Sequence, residues 1–189
     1  IAGDLVVQNA RVRAIGEDAG GFRPISEKDL FDCEYWSLEQ AKLGKGAPPK
    51  FQGKIVMITG GSGTIGFALA KAFSKLGAQT ILVDKDEIAL EESVAKLGVG
   101  HKYFPIDVTH SDAANQAMLA AINNFGGLDI LISNAGAAHA GPMLGISNEE
   151  LRNAFELNFF SHYSFSTEAA KILKDQNRGG QLLFHISQQ

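Results

Sequence analysis

The chain has 189 residues, of which 45% are hydrophobic and 20% charged, with a formal net charge of -4. That is an ordinary globular composition with room for one domain and a real core, and its acidic balance argues against nucleic acid as the main partner, since phosphate binding wants a basic face. No run approaches the roughly 18 apolar residues that would span a membrane, and the single cysteine, Cys33, excludes an intrachain disulfide and a cysteine-built zinc site, so a cytoplasmic protein with no metal is expected.

Residues 1–52 read as an N-terminal extension and linker. Val6, Val7 and Val12 suggest a short extended piece, and residues 17–21 a polar turn. Ser26 with Asp29, and Ser37 with Gln40, have the spacing of capping boxes, so two short helices are expected between 26 and 44. Residues 44–49 hold two glycines and two prolines and read as a linker.

From Lys54 the pattern alternates. Short apolar runs at 55–59, 80–84, 102–106, 128–133 and 181–186 read as strands, and helical patterns fill the gaps. Ile65, Leu69, Ala72, Phe73 and Leu76 form one helical stripe. Ala89, Val94 and Leu97 form a weaker one, and Ala113, Ala117, Ala120 and Ala121, with Met118 and Leu119, mark a third helix. Ser147 and Glu150 make a capping box before a long helix to about Gln176, which Gly179-Gly180 stops. Strands apolar on both faces that alternate with helices imply an α/β fold over residues 53–189: a Rossmann-type doubly wound parallel sheet with helices on both faces. The last apolar run stops almost at Gln189, and residue 1 is Ile rather than Met. The natural chain is expected to continue past Gln189.

The turn Thr59-Gly60-Gly61-Ser62-Gly63-Thr64-Ile65-Gly66 joins the first strand to the first helix. Glycine there permits positive φ and lets a backbone approach phosphates with no Cβ in the way. The helix start offers N–H groups to a pyrophosphate. Gly60, Ser62, Gly63, Thr64, Ile65 and Gly66 are therefore candidate cofactor-binding residues. Asp84 ends the second strand at the distance where a carboxylate reaches ribose hydroxyls and would repel a 2′-phosphate, so NAD is expected rather than NADP, with Lys85 beside it softening the preference. Asp84 as the N-cap of the next helix is a compatible reading.

At this point the sequence resembles the short-chain dehydrogenase/reductase family over about residues 53–189. Thr59-Gly60 and Ile65-Gly66 match the family's cofactor loop, with Thr64 in the place of the middle glycine and Gly63 one position earlier. That spacing resembles the family's extended branch, which includes nucleotide-sugar epimerases. The resemblance implies that Asp107-Val108 contacts the adenine ring, and that Asn134-Ala135-Gly136 supports the sheet and lines the nicotinamide ribose. It implies that Asn158 holds a water for a proton relay, and that Ser187, or Gln188 if the register slips by one, holds the substrate oxygen. Plainer readings stay open: Asp107 as a strand end, Asn134 and Gly136 as a turn, Asn158 as a bonded helix residue. His139 follows the fourth strand, in a loop where it could touch substrate.

Family chemistry also needs a tyrosine with a lysine four residues on, because the ammonium lowers the phenol's pKa. Tyr35, Tyr103 and Tyr163 are followed at that distance by Glu39, Asp107 and Thr167. The resemblance implies that the pair, and the C-terminal part of the fold, lie beyond Gln189, and that this chain holds a cofactor without turning it over. It implies a small-molecule substrate and a homo-oligomer through the 148–176 helix. The segments Asp29-Leu30-Phe31-Asp32-Cys33-Glu34-Tyr35-Trp36 and Leu38-Glu39-Gln40-Ala41-Lys42-Leu43 resemble the linker of bifunctional aldolase/short-chain dehydrogenase proteins. Those cleave a deoxy-sugar phosphate such as rhamnulose 1-phosphate and oxidise the lactaldehyde released, which implies an aldolase domain upstream of Ile1. A non-catalytic NAD-binding module and an epimerase-like protein are the alternatives.

Overall fold

The computed structural model describes residues 2–21, 26–31, 48–138 and 144–186. The chain divides into two compact units, Ile1–Pro48 and Pro49–Gln189.

In the first unit, α1 spans Ala2–Asp18 and α2 spans Glu27–Phe31. The expected extended piece at Val6, Val7 and Val12 is helix instead. No proline interrupts residues 2–18, and a β-branched residue costs a helix only a few tenths of a kcal/mol against Ala, Leu, Gln and Arg around it. Ser26 caps α2 by accepting from Asp29 N–H at 3.1 Å. The second expected helix, around Ser37 and Gln40, and most of the 44–49 linker lie outside the described residues.

The second unit is the α/β layer structure. Its strands are β1 (Ile55–Thr59), β2 (Gln79–Asp84), β3 (Lys102–Pro105), β4 (Ile130–Ser133) and β5 (Gln181–Phe184). All pair in parallel, in the order β3-β2-β1-β4-β5. Helices α3 (Thr64–Lys75), α4 (Glu87–Leu97), α5 (Ala113–Phe125), α6 (Asn148–Phe155) and α7 (Ser161–Gln176) connect them. A π-helical turn, Glu156–Phe160, joins α6 to α7, so the single long helix of the sequence reading is three segments. None of these helices is long and apolar enough to cross a membrane.

Alternation along the strands feeds two cores. Val56, Ile58, Leu82, Ile130 and Ile132 pack with Ala70 and Leu90 on one face. Met57, Ile81, Val83 and Leu131 pack with Ala113, Ala117, Met118, Phe165 and Ala169 on the other. The buried stripe of α3 is Gly66 and Ala70, with Leu69 and Phe73 packed beside it; Ile65, Ala72 and Leu76, expected on that face, are exposed. Gly66 is buried against the turn at Gly60 and Gly61, and Ala70 is buried in the core on this face of the sheet.

The end of the sheet away from the glycine turn is tied by polar clamps. Asp129 accepts from Ile55 N–H at 3.0 Å and from Lys54 Nζ at 2.8 Å. The Gln176 amide bridges both backbone groups of Leu128, at 2.9 and 2.6 Å. His101 Nδ1 accepts from Thr80 N–H at 3.1 Å, which leaves Nε2 to donate to Ser74 Oγ at 3.1 Å. Burial pushes the His101 pKa below its ordinary value of 6.5. The folded state therefore prefers neutral His101, and this contribution is present above pH 6.5 and lost as pH falls below it. The thermal midpoint should fall between pH 7 and pH 5 and fall less in His101→Gln; an equal slope in the variant would contradict the assignment.

Candidate functional site

The site is built on the C-terminal ends of the strands. In the order β3-β2-β1-β4-β5 the connections reverse direction between β1 and β4. The crevice at such a reversal is where open α/β sheets bind ligands.

Beyond β1 the chain turns at Gly60, whose φ of 64° suits glycine. A Cβ at Gly66 would strike the Gly60 carbonyl oxygen, so α3 starts hard against the turn only with glycine there. Gly63 is the N-cap, in extended backbone that any residue adopts (φ -67°, ψ 162°). Thr64 is simply the first helical residue, where a Cβ meets no steric bar. Helix geometry leaves the N–H groups of Thr64, Ile65 and Gly66 without intrahelical acceptors. No side chain caps them, and no acid sits in the first turn. A phosphate-sized anion is the natural acceptor for such a terminus.

Asp84 ends β2 beside this turn. Its Oδ2 accepts from Ser62 N–H at 3.2 Å and Ser62 Oγ at 2.7 Å, and its Oδ1 from Lys85 N–H at 2.8 Å. The cap of α4 is Asp86, which accepts from Ala89 N–H at 3.0 Å, so Asp84 is not spent on capping. Asp107 accepts from Thr109 N–H at 3.0 Å and Thr109 Oγ1 at 2.7 Å. Those two bonds hold its pKa below the ordinary value against the opposing pull of desolvation, with His110 and Lys85 adding small lowering effects. Val108 is 8% exposed and packs into the core.

Across the reversal, the Thr59 hydroxyl accepts from Asn134 N–H at 2.9 Å and Ala135 N–H at 3.0 Å. Asn134 Nδ2 returns to Thr59 O at 3.0 Å and Gly60 O at 3.3 Å. The ends of β1 and β4 are thus locked together by four contacts. Asn158, in the π-helical turn, pairs with both backbone groups of Ala137: Oδ1 accepts at 3.1 Å and Nδ2 donates at 3.0 Å. A Cβ at Gly136 would come within 2.9 Å of Asn158 Oδ1. Wide helical turns of this kind recur at functional sites. This one sets Asn158 against the loop after β4.

The structure thereby gathers Gly60, Gly63, Thr64, Ile65, Gly66, Asp84, Asp107, Val108, Asn134, Ala135, Gly136 and Asn158 around one cleft of about 1260 Å³. Ser62 acts from behind, on Asp84. Ser187 and His139 lie outside the described residues. Two histidines that the sequence did not single out also line the cleft. His162 Nδ1 lies 2.7 Å from Ser133 Oγ; burial lowers its pKa, and a hydrogen bond to the Ala135 backbone opposes that. His185 Nδ1 lies 2.9 Å from Asn134 Oδ1. These partners are 29 and 51 residues apart, so no local spacing announces them. Among the described residues no group of three or more His, Cys, Asp or Glu side chains is placed to hold a metal.

Residues 54–189 match the family described as short chain dehydrogenase, and residues 1–43 match the second domain of class II aldolase. The uncharacterized oxidoreductase YuxG of Bacillus subtilis is 32% identical over 172 residues, 87% of this chain and 25% of that protein. Galactitol 2-dehydrogenase of Agrobacterium fabrum is 30% identical, over 74% of this chain and 54% of that one. The 3-ketoacyl-(acyl-carrier-protein) reductase of Brucella melitensis, solved with NADH, superposes with a TM-score of 0.69 at 26% identity, covering 71% of this chain and 57% of its own. NAD+-bound xylitol dehydrogenase gives 0.68 at 27% identity, covering 71% of this chain and 53% of its own. The chain thus spans between a quarter and about half of the length of these curated relatives.

Thr59→Val keeps the shape of the side chain and removes the shared acceptor. The buried N–H of Ala135 and the partly buried N–H of Asn134 then lose their partner, at up to about 1–3 kcal/mol each. Urea unfolding should show a loss of at least about 2 kcal/mol; a change under about 0.5 kcal/mol would mean that the strand ends are held by other contacts.

Proposed function

This chain belongs to the short-chain dehydrogenase family, and from that premise we propose that it binds NAD along the C-terminal edge of its sheet. In the intact enzyme, hydride passes between nicotinamide and an alcohol, aldehyde or ketone carbon. The observation that carries this reading is the single cleft joining an uncapped helix N-terminus, the held carboxylate of Asp84 and the Asn134-Ala135-Gly136 loop. The relatives solved with NADH and NAD+ support the cofactor.

Each residue has a task in this reading. The N–H groups of Thr64, Ile65 and Gly66 receive the pyrophosphate. Ser62 aims Asp84 at the adenosine ribose, where the fixed negative charge disfavours a 2′-phosphate. Asp107 and Val108 border the adenine. Asn134, Ala135 and Gly136 border the nicotinamide ribose. Asn158 spends one N–H and one lone pair on Ala137 and keeps the others for a water. Ser187 holds the substrate oxygen. The bound cofactor supplies the hydride chemistry. The tyrosine–lysine proton donor is not encoded within residues 1–189, so the chain by itself serves as the cofactor-holding part.

Two finer readings go with this. The match of residues 1–43 to the second domain of class II aldolase supports an aldolase part in the same polypeptide; the linker resemblance of residues 29–43 carries the further reading that lactaldehyde released by that part is the substrate. Leu151, Phe155, Phe159 and Tyr163, spaced four apart and each about half exposed or more, form an apolar stripe that supports a homo-oligomer through the 148–176 helix, which sedimentation of the chain would read.

Calorimetry should register NAD+ binding, and Asp84→Ala should weaken it by about 1.5–3 kcal/mol, the scale of hydrogen bonds to a charged group. The same variant should narrow the gap between NAD+ and NADP+. No heat from NAD+ at millimolar concentration would sink the reading; unchanged affinity in the variant would place the ribose elsewhere.

A further inference from the structure

On its β5 side the cleft ends in a histidine to which the reading above gives no task. His185 follows β5, is exposed and lines the cleft. Its backbone N–H donates to Ser133 O at 2.9 Å, which extends the β4–β5 pairing by one residue and fixes where the ring starts. Its Nδ1 lies 2.9 Å from Asn134 Oδ1.

The orientation of that Asn134 amide is dictated by its other contacts. The nitrogen faces two carbonyl oxygens, Thr59 O at 3.0 Å and Gly60 O at 3.3 Å. Turning the amide over would set its oxygen against both, acceptor on acceptor. The oxygen therefore faces His185, and only an Nδ1 that carries a proton can donate to it. A neutral His185 is thereby held as its Nδ1–H tautomer, and Nε2 is left as a bare acceptor.

The place of this acceptor in the cleft says what it meets. Asp84 stands at the end of β2 and His185 at the end of β5, with β1 and β4 between. Three strand spacings of about 4.8 Å separate them by roughly 14 Å. A dinucleotide with its pyrophosphate at the turn after β1 and one ribose at Asp84 must send its second half toward β4 and β5. The groups that arrive there carrying hydrogen-bond donors are the hydroxyls of the second ribose, the carboxamide N–H groups of the nicotinamide, and the hydroxyl of an alcohol substrate.

Resting on the NAD reading, we propose that His185 recognises a ligand hydroxyl through Nε2, and that Asn134 is the positioning residue that fixes its tautomer. The chain of contacts runs from the Gly60 carbonyl through the Asn134 amide to His185, so the same backbone that forms the phosphate turn sets the donor–acceptor polarity at the far end of the cleft.

Nitrogen NMR of the full chain labelled at histidine tests this, with His185→Gln identifying the signal. At about pH 8.5, where an imidazole is ordinarily neutral, the His185 spectrum of the ligand-free chain should show a protonated Nδ1 and a bare Nε2. Adding NAD+ should move the bare nitrogen upfield if the donor is the cofactor's ribose, and the nicotinic acid analogue of NAD+, which lacks the carboxamide N–H, should move it equally; a shift with NAD+ but not with that analogue overturns the hydroxyl assignment. If it is an alcohol hydroxyl, the move should come instead when glycerol is added to the NAD+-containing sample. A protonated Nε2 in the free chain, or a bare nitrogen unmoved by both additions, overturns the inference. If backbone amide spectra of a uniformly labelled sample show that NAD+ perturbs no residue of the turn after β1, the NAD reading fails instead, and the tautomer with the glycerol response still decides the role of His185.

Discussion

The hydroxyl of Thr59 is the point on which the site depends. Thr59 is 2% exposed at the end of β1, and its hydroxyl takes two backbone N–H groups from the start of the loop after β4. β1 and β4 are the strands between which the sheet reverses direction. At a reversal, the loops after the two strands run to opposite faces and open a crevice. Without a tie the crevice walls would be two independent loops. With it, the glycine turn and the Asn134-Ala135-Gly136 loop are one rigid edge, closed further by Asn134 reaching back to Gly60. Asn158 then holds the next residue of that loop, Ala137, from the π-helical turn.

The electrostatics of the cleft follow from the same frame. Its centre is an uncapped helix N-terminus, which carries partial positive charge. Its flank is a carboxylate fixed in direction by Ser62, and Asp86 leaves it free by capping α4. Asp107, kept ionised by Thr109, adds a second acid at the end of β3. Such an arrangement suits an anion at the centre and hydroxyls or amines at the sides, which is the charge pattern of a dinucleotide laid across the sheet.

Much of this was legible from residue order. The five strands lie within two residues of where apolar runs place them, because a parallel sheet covered on both faces demands such runs. The candidate loop residues meet in one cleft because strand ends in this topology converge. Other features escaped for physical reasons. The helix over Ala2–Asp18 hides behind β-branched residues whose propensity penalty is small and easily outweighed. The α3 stripe is rotated from its apolar maximum because Gly66 is buried against the glycine turn and Ala70 in the core. The π-helical turn inside a continuous helical pattern leaves no compositional mark. The bonds from Ser133 to His162 and from Asn134 to His185 join residues that only the β4–β5 pairing and the packing of α7 bring together.

The central claim is that one edge of the sheet, tied at Thr59, is a dinucleotide cleft. The most direct test is the backbone amide NMR footprint of NAD+ on the labelled chain. The account predicts shifts at Gly60, Thr64, Ile65, Gly66, Asp84, Val108, Ala135, Gly136 and Ala137, and none at Thr80 or His101 on the opposite edge. Shifts scattered over both edges, or confined to the opposite one, would contradict it.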